Sequence, residues 1–363
     1  MRLRAAVLLV CVLLPSLVVT TIQAGQSPDG AAGPPPGGLV VVIPSPLQED
    51  HASVLRAFNN PSISGVALQI RWRDLEPSAG KPDWSTLDQL FAAAQSAGKW
   101  VQLLIFPGFF SPPWALAGVE TGRFPIQYGP GKGTVESLPM PWDKVYLTRW
   151  FAFLKLLSDR YGKSPAFRVI AADGPTSVSA ESTLPGSAED VRTWLRLSYT
   201  PQRYIAAWRE VFQAVAASFP QQYVSLSLGF GLNINDRGKL DATERSRTRQ
   251  AIIDQGMALV GRRFAVQDSN LDGNRGPDRG TDFVIGYNGR IITGFQLRTS
   301  CVRDSGNMGA PGNPPLALRR ALDKGLKPNT AGRRVNYLEV YDPDVLAEQM
   351  QTSLRYGASL FKK

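Results

Sequence analysis

The segment SGVALQIRWRDLEPSAGKPDWSTLDQLFAAAQSAGKWVQLLIFPG, residues 64–108, decides the fold class of this chain. It begins and ends with apolar runs, at residues 66–70 and 101–106. Between the two runs, four apolar residues recur at helical spacing and share one helix face: Leu87, Leu90, Phe91 and Ala94. A helix that joins two nearly all-apolar strands predicts parallel strands buried on both faces.

The same alternation of apolar runs and helical segments continues through the rest of the chain. Eight strands are predicted, at residues 39–43, 66–72, 101–106, 167–171, 223–228, 264–267, 294–297 and 335–341. This number of strands, mostly separated by helices, predicts an α/β fold, a single (β/α)₈ TIM barrel over residues 38–363. The alternative is an open doubly wound sheet, which normally carries a glycine-rich phosphate-binding turn after its first strand. This chain has Pro44-Ser45-Pro46 there, which favours the barrel.

A long loop follows the third strand, and a long helix closes the chain. The loop spans residues 107–141, and loops of that length in compact domains are usually functional or disordered. Its aromatic residues argue against disorder: Phe109, Phe110, Trp114, Phe124 and Tyr128. We therefore expect the loop to form one wall of a site at the carboxyl ends of the strands.

The last helix is predicted to run from about Pro343 to Leu360.

The N-terminus has the features of an export signal. Arg2 and Arg4 precede an apolar stretch at residues 5–20, and the small residue Ala24 offers a cleavage point. Residues 1–24 are therefore predicted to be a signal peptide, followed by a Gly/Pro-rich linker at residues 25–37. The mature protein is expected to be secreted or periplasmic, with no stable membrane insertion. A retained N-terminal anchor is the alternative.

The residue content restricts the chemistry that the chain can perform. Its single histidine, His51, precedes the first helix, so a Ser-His-Asp hydrolase would depend on this one loop residue. A histidine-rich metal site cannot be built from one histidine. No metal or organic cofactor is therefore predicted, and catalysis is expected to use carboxylates, tyrosines or arginines. The formal net charge of +10 comes from scattered basic residues, so nucleic acid is not a predicted partner.

A family resemblance lies in the segment that decides the fold. The motif WRDLEP at residues 72–77, then GKPDW at 80–84 and a helix into Gly98-Lys99, resembles the second and third strand region of retaining glycoside hydrolase (β/α)₈ barrels. These are the cellulase-like and β-galactosidase-like families, and the match is specific over about fifty residues. The resemblance implies an enzyme that cleaves an oligo- or polysaccharide with two carboxylates, an acid/base after strand four and a nucleophile on strand seven.

The chain departs from that family at both catalytic positions. The family usually has an Asn-Glu pair at the end of strand four, where this chain has Ala172-Asp173-Gly174-Pro175. Strand seven ends with Arg298-Thr299-Ser300, which includes no carboxylate. The family's catalytic pair therefore does not transfer residue by residue. A catalytically silent glycan-binding barrel is the alternative to an exported glycoside hydrolase.

Two glutamates are the candidate catalytic residues. Glu181 follows strand four among small residues, and it is either the acid or an ordinary loop carboxylate. Glu339 lies in an apolar and aromatic strand, where a carboxylate is costly unless it points into a polar centre. Strand alternation places Tyr337, Glu339 and Tyr341 on one side of that strand. Glu339 is thus either the nucleophile or a structural glutamate paired with an arginine inside the barrel.

The predicted substrate-binding residues lie near strand ends or in the aromatic loop: Arg71, Trp114, Trp142, Asp173, Gln267, Gln296, Tyr337 and Tyr341. For each of these residues a purely structural role is the alternative. Asp173 competes with Glu181 for the acid role, or it forms a turn beside Gly174. Trp114 and Trp142 are either platforms that stack on a sugar ring or residues that pack a lid.

Overall fold

The computed structural model describes residues 33–127, 131–174, 183–229, 231–274 and 279–362. The predicted signal peptide and most of the predicted linker lie outside these residues. In chain order the strands are β1 (Gly38–Pro44), β2 (Ile63–Arg71), β3 (Trp100–Phe106), β4 (Thr121–Pro125), β5 (Val135–Pro139), β6 (Phe167–Ala171), β7 (Tyr223–Ser227), β8 (Phe264–Leu271), β9 (Ile292–Leu297) and β10 (Tyr337–Tyr341).

Eight of these strands form a closed barrel in the order β1-β10-β9-β8-β7-β6-β3-β2. All the pairs in the barrel are parallel, including the closing pair, in which Val42 lies opposite Tyr341. The predicted (β/α)₈ barrel is therefore confirmed, and the closing pair excludes the open sheet. The remaining strands, β4 and β5, form an antiparallel pair within the loop that follows β3.

Helices surround the barrel, and several of them begin at residues whose side chains cap them. They are α1 (His51–Phe58), α2 (Trp72–Leu75), α3 (Ser85–Ser96), α4 (Pro113–Leu116), α5 (Lys144–Tyr161), α6 (Ala188–Arg196), α7 (Pro201–Ser218), α8 (Glu244–Val260), α9 (Arg279–Ile285), α10 (Pro314–Leu326), α11 (Asp342–Leu346) and α12 (Gln351–Leu360). Asp143 and Thr200 accept backbone N–H bonds at the starts of α5 and α7. None of the described helices is both long and apolar enough to cross a bilayer.

Two local predictions differ from the structure. The second strand ends at Arg71, and Trp72 begins the short helix α2 instead of continuing the strand. The closing helix is interrupted, because Ala347 is extended between α11 and the turn that precedes α12. Side-chain amides satisfy the carbonyls that this interruption frees. Gln351 Nε2 donates to the carbonyls of Val345 and Ala347 at 2.9 and 3.0 Å.

Trp72 lies at the centre of an aromatic cluster between the barrel and helices α2, α4 and α5. Its ring centroid is 5.0–6.0 Å from those of Trp114, Tyr146, Trp150 and Phe153. Its indole N–H donates to Glu76 Oε2 at 2.8 Å. Rings at such distances stabilise a fold beyond the apolar area they bury. The WRDLEP motif therefore fixes the outer wall of the barrel next to β2.

Two glycines make room for large rings at the amino-terminal end of the barrel interior. Trp100 and Tyr337 meet there edge to face, with ring centroids 6.1 Å apart. A Cβ atom on Gly65 would lie 2.3 Å from the Trp100 ring, and one on Gly294 would lie 2.2 Å from the Tyr337 ring. Neither contact is sterically possible, so this layer depends on the missing side chains of β2 and β9.

We predict that Gly65→Ala lowers the free energy of unfolding by roughly 1–3 kcal/mol, the usual cost of overpacking a core. Urea unfolding followed by circular dichroism measures this change. Gly306→Ala is the control, because a Cβ there meets no atom closer than 3.5 Å and its backbone φ is ordinary. Equal stability of the two variants would contradict this account of the interior.

Candidate functional site

The carboxyl ends of the eight barrel strands open at one end of the barrel, which we call the mouth. Side chains alternate along each strand between the barrel interior and the surrounding helices. In β10, Tyr337 belongs to the interior apolar cluster, whereas Leu338 and Val340 belong to the outer core. The predicted alternation in this strand is therefore confirmed. Tyr341, the last residue of β10, lies nearest the mouth.

Three side chains, from β2, β9 and β10, form a hydrogen-bonded chain at the mouth, and we call them the mouth network. Gln69 Nε2 donates to Gln296 Oε1 at 3.2 Å, and Gln296 Nε2 donates to the Tyr341 hydroxyl at 2.7 Å. Gln69 and Tyr341 are half-buried, so they retain solvent contact. Amide and hydroxyl groups in this state can exchange water for the hydroxyls of a ligand. Gln296 and Tyr341 were predicted site residues, whereas Gln69 was missed.

A second group lies deeper in the barrel interior, and we call it the interior network: Gln102, Gln267, Tyr337 and Glu339. Gln267 Nε2 donates to Glu339 Oε2 at 2.9 Å, and the Tyr337 hydroxyl donates to Gln267 Oε1 at 2.7 Å. Gln102 Nε2 reaches the same Gln267 oxygen at 3.5 Å. The partner of Glu339 in the described residues is thus a glutamine and not the arginine of the structural alternative.

Glu339 is fully enclosed, with 0% of its surface exposed. Burial raises the pKa of its carboxyl to about 8, although the hydrogen bonds from Gln267 and Gln102 partly oppose the shift. Burial, with the Glu339 charge as a second cause, also raises the pKa of Tyr337 well above its usual range. A sugar would reach Glu339 only after the side chains above it had moved.

Asp173 follows β6, the fourth strand of the barrel. Val169 and Ala171 face the barrel interior, and continuing this alternation places Asp173 on the same side. Its side chain is only 4% exposed, and its Oδ2 has no hydrogen-bond partner among the described residues. Burial raises the pKa of this carboxyl well above its usual range. Glu181, which follows in the chain, lies outside the described residues.

Arg71 lies at the end of β2 but is already partnered. Its Nε donates to Asp74 Oδ2 at 2.6 Å, and its guanidinium carbon is 5.9 Å from the centre of the Phe110 ring. The guanidinium carbon of Arg73, which is exposed, lies 5.2 Å from the centre of the same ring. The end of β2 and the start of the aromatic loop thus form one edge of the mouth with two guanidinium groups.

The two predicted aromatic platforms are packed against protein groups. Trp114 meets the edge of Trp72, and its indole N–H donates to the Glu76 carbonyl at 3.1 Å. Trp142 contacts other rings, and the guanidinium carbon of Arg203 lies 4.3 Å from the centre of its ring. Both tryptophans are half-buried, so part of each ring remains accessible.

A cavity of about 600 Å³ lies among the segments that follow the barrel strands β3, β6 and β7. Its described lining comes from the β4–β5 hairpin, from residues 183–187 before α6, and from the start of α8. The loop after β3 therefore contributes to the wall of this cavity. Polar groups in the lining include Gln127, Lys132 and Arg245.

Another pair of carboxylates lies at the carboxyl ends of β1 and β10, and sequence reasoning missed it. Burial, followed by the nearby charge of Asp342, raises the pKa of Glu49 to about 7, and Arg303 partly opposes the shift. Burial also raises the pKa of Asp342 to about 6. No periodic pattern reveals this pair, because both residues lie outside the strands.

No group of three or more potential ligand side chains in the described ranges is arranged to hold a metal ion.

Comparison with known proteins supports the fold. No protein-family model and no curated protein matches the chain in sequence. Among solved structures, the catalytic domain of a Paenibacillus polymyxa β-amylase is similar with a TM-score of 0.60 at 10% identity. The match covers 88% of this chain and 97% of that chain.

Two further solved structures share the barrel. An exo-β-1,4-mannosidase, Op5Man5 from an Opitutaceae bacterium, matches with a TM-score of 0.52 at 12% identity, over 95% of this chain and 63% of its own. A GH5_18 protein of Bifidobacterium longum subsp. longum, in complex with Manβ1-4GlcNAc, matches with a TM-score of 0.54 at 10% identity, over 90% and 79%. At these identities the three similarities show that this chain shares the barrel fold of these proteins.

We predict that Trp114→Ala lowers the free energy of unfolding by roughly 2 kcal/mol or more, because it removes a ring from the Trp72 cluster. Thermal and urea unfolding provide the measurement. Trp114→Phe retains a ring and serves as the matched control. If Trp114→Ala kept full stability and lost only oligosaccharide binding, Trp114 would be a sugar platform.

Proposed function

We propose that this chain binds an oligo- or polysaccharide at the mouth of the barrel and hydrolyses a glycosidic bond there. The observation that carries the proposal is Asp173, an enclosed carboxyl with a free oxygen at the end of the fourth barrel strand. Glycoside hydrolysis requires an acid that is still protonated near neutral pH, and burial is the usual means of raising its pKa. Burial raises the pKa of Asp173 in this direction.

The mouth network suits the binding of sugar hydroxyls. Gln69 and Gln296 offer amide donors and acceptors, and Tyr341 offers a hydroxyl. Arg71 and Arg73 add guanidinium donors at the rim. The cavity among the segments after β3, β6 and β7 has space for further sugar units. These features favour a chain of several sugars over a single small molecule.

In this proposal Asp173 donates a proton to the leaving oxygen. An ionised carboxylate then attacks the anomeric carbon or activates a water molecule. Glu181 and Glu339 are the catalytic carboxylates that the sequence predicts, and in this proposal only Glu181 keeps that role. Glu181 lies outside the described residues, so its ionised role rests on its place after β6 in the sequence, whereas the enclosure of Glu339 separates it from the mouth. The similarity of the fold to a β-amylase and an exo-β-1,4-mannosidase supports the reaction class.

The test is hydrolysis of a panel of aryl glycosides and polysaccharides by the purified protein and three variants. We expect Asp173→Asn and Glu181→Gln to reduce turnover by at least a hundredfold, because each removes a proton donor or a charge from the reaction. Glu339→Gln should retain turnover. Loss of activity in Glu339→Gln, with unchanged thermal stability, would instead assign catalysis to Glu339.

Glycan binding without hydrolysis is the second candidate function. The observation in its favour is that β9, the seventh barrel strand, directs Gln296 and not a carboxylate toward the mouth network. Isothermal titration of the wild-type protein with oligosaccharides that it does not cleave would establish this alternative. Full hydrolysis of any panel member would exclude it.

We also propose that the chain is exported, on the basis of Arg2, Arg4 and the apolar stretch at residues 5–20. The N-terminal sequence of material collected outside the cytoplasm should begin near Gly25. Recovery of the mature chain with Met1 in place, in the cytoplasmic fraction, would contradict export.

A further inference from the structure

The cavity among the segments after β3, β6 and β7 has two cationic side chains in its wall. Lys132 comes from the loop between β4 and β5, and Arg245 comes from the first turn of α8. Both residues are exposed, so a ligand that enters the cavity can reach them. The part of this lining that the structure describes includes no aspartate or glutamate. The described wall therefore presents positive charge to a ligand.

The loop that carries Lys132 has a defined conformation. Gly131 and Gly133, on either side of the lysine, have φ angles of 83° and 91°, a region that favours glycine. The Gly133 N–H donates to the Ile126 carbonyl at 2.9 Å, and the N–H of the next residue donates to the Gly131 carbonyl at 3.0 Å. Local sequence and backbone hydrogen bonds thus hold Lys132 at the cavity wall.

The wall formed by this hairpin is joined to the wall formed by the start of α6. The ring of Phe124 in β4 stacks on Trp194 of α6, with centroids 4.6 Å apart. The Trp194 indole N–H donates to the Pro185 carbonyl at 2.9 Å. Gln127 Nε2 donates to Asp190 Oδ2, also at 2.9 Å. These contacts fix the two walls relative to each other, so a ligand pays little to order them.

Asp190 is a carboxylate bonded to the lining, but its role is structural. Its Oδ2 accepts from Gln127 Nε2 and from the Ser187 N–H, the latter at 2.8 Å. Together with Ser187 it forms the capping box that begins α6. Its side chain is only 1% exposed, so it is not accessible to a ligand in the cavity.

The position of Arg245 is unfavourable for helix α8. Three arginines, at positions 245, 247 and 249, lie near its start, where positive charge opposes the helix dipole. Arg247 Nη1 lies 3.6 Å from carboxylate oxygens of Asp241 and Glu244, and the guanidinium carbon of Arg249 lies 4.1 Å from the centre of a phenylalanine ring. Arg245 is the arginine of this group that lines the cavity. Its guanidinium has five N–H donors, so it can bind an oxyanion in addition to its other contacts.

We propose that this cavity binds the carboxylate or sulfate group of an acidic sugar unit, so that the polysaccharide recognised by this chain is acidic. The inference rests on the proposed function for the sugar and on the cavity for the charge. Lys132 and Arg245 donate charge-assisted hydrogen bonds to the oxyanion, while Ile126 and Leu184 offer apolar lining to the sugar ring. The formal net charge of +10 favours the approach of an acidic polymer.

The experiment is isothermal titration of the full chain with two matched pairs of oligosaccharides. One pair is a galacturonic acid hexamer and its methyl ester, and the other is a sulfated carrageenan hexamer and its desulfated form. We expect at least one acidic hexamer to bind roughly tenfold or more tightly than its neutral counterpart, and salt to reduce this difference. The pair that shows the difference distinguishes a carboxylate from a sulfate. Equal affinities within both pairs would overturn the proposal.

Variants test whether the preference comes from the cavity. The double variant Lys132→Gln, Arg245→Gln should bind the acidic and neutral hexamers equally, because it removes both cations from the lining. The double variant Lys163→Gln, Arg355→Gln is the matched control, since it removes the same charge from exposed residues outside the lining. An equal loss of preference in the control would attribute the effect to net charge and overturn the proposal.

A DNA hexanucleotide tests the other class of acidic polymer. If it bound more tightly than every acidic sugar, with the same dependence on Lys132 and Arg245, the cavity would be a nucleic-acid site and the proposal would be wrong. All these measurements record binding and not turnover. Hydrolysis of neutral glycans without a preference for acidic ones would refute this inference alone, whereas a preference for acidic glycans without any hydrolysis would refute only the hydrolytic function.

Discussion

The parallel pairing of β1 with β10 is the interaction on which the rest of the structure depends. Closing the sheet removes every strand edge and creates an interior too narrow for solvent, which side chains must fill themselves. Large rings occupy the amino-terminal end of the interior, where Gly65 and Gly294 leave space for them because they lack side chains. Farther along the strands, polar side chains face the same enclosed space, so their hydrogen bonds must come from one another.

The fold was predictable because its signal is repetitive. Every barrel strand is an apolar run, and most of the runs are separated by segments of helical periodicity. A misplaced boundary in one element therefore leaves the number of predicted strands unchanged. Single-residue signals were equally informative where they have a fixed chemical role. Asp143 and Thr200, residue types that favour the start of a helix, stand at the starts of α5 and α7. The same applies to Glu339, whose place in an apolar strand predicted an interior polar centre.

The details of the site were less predictable because they depend on contacts between distant segments. Gln69 and Gln102 were missed, although each carries the same signal as Glu339, a polar residue within an apolar strand, which would have been sufficient to find them. The environment of Trp114 was not predictable, because it depends on Trp72 turning out of the strand into α2. The pairing of Glu49 with Asp342 is likewise set by how two loops approach each other.

A single pleat repeat separates a residue that can meet a ligand from one that cannot. Tyr341 and Glu339 are two residues apart on the same side of β10, yet Tyr341 keeps solvent contact whereas Glu339 is sealed. Residue type alone would assign the chemistry to the glutamate, since carboxylates cleave glycosidic bonds. The depth of Glu339 argues against that assignment, because an enclosed carboxyl without a neighbouring cation is most stable as a neutral acid. Similarity of the barrel to the three solved structures therefore transfers the fold alone, and the chemistry open to each carboxyl follows from its depth and its partners.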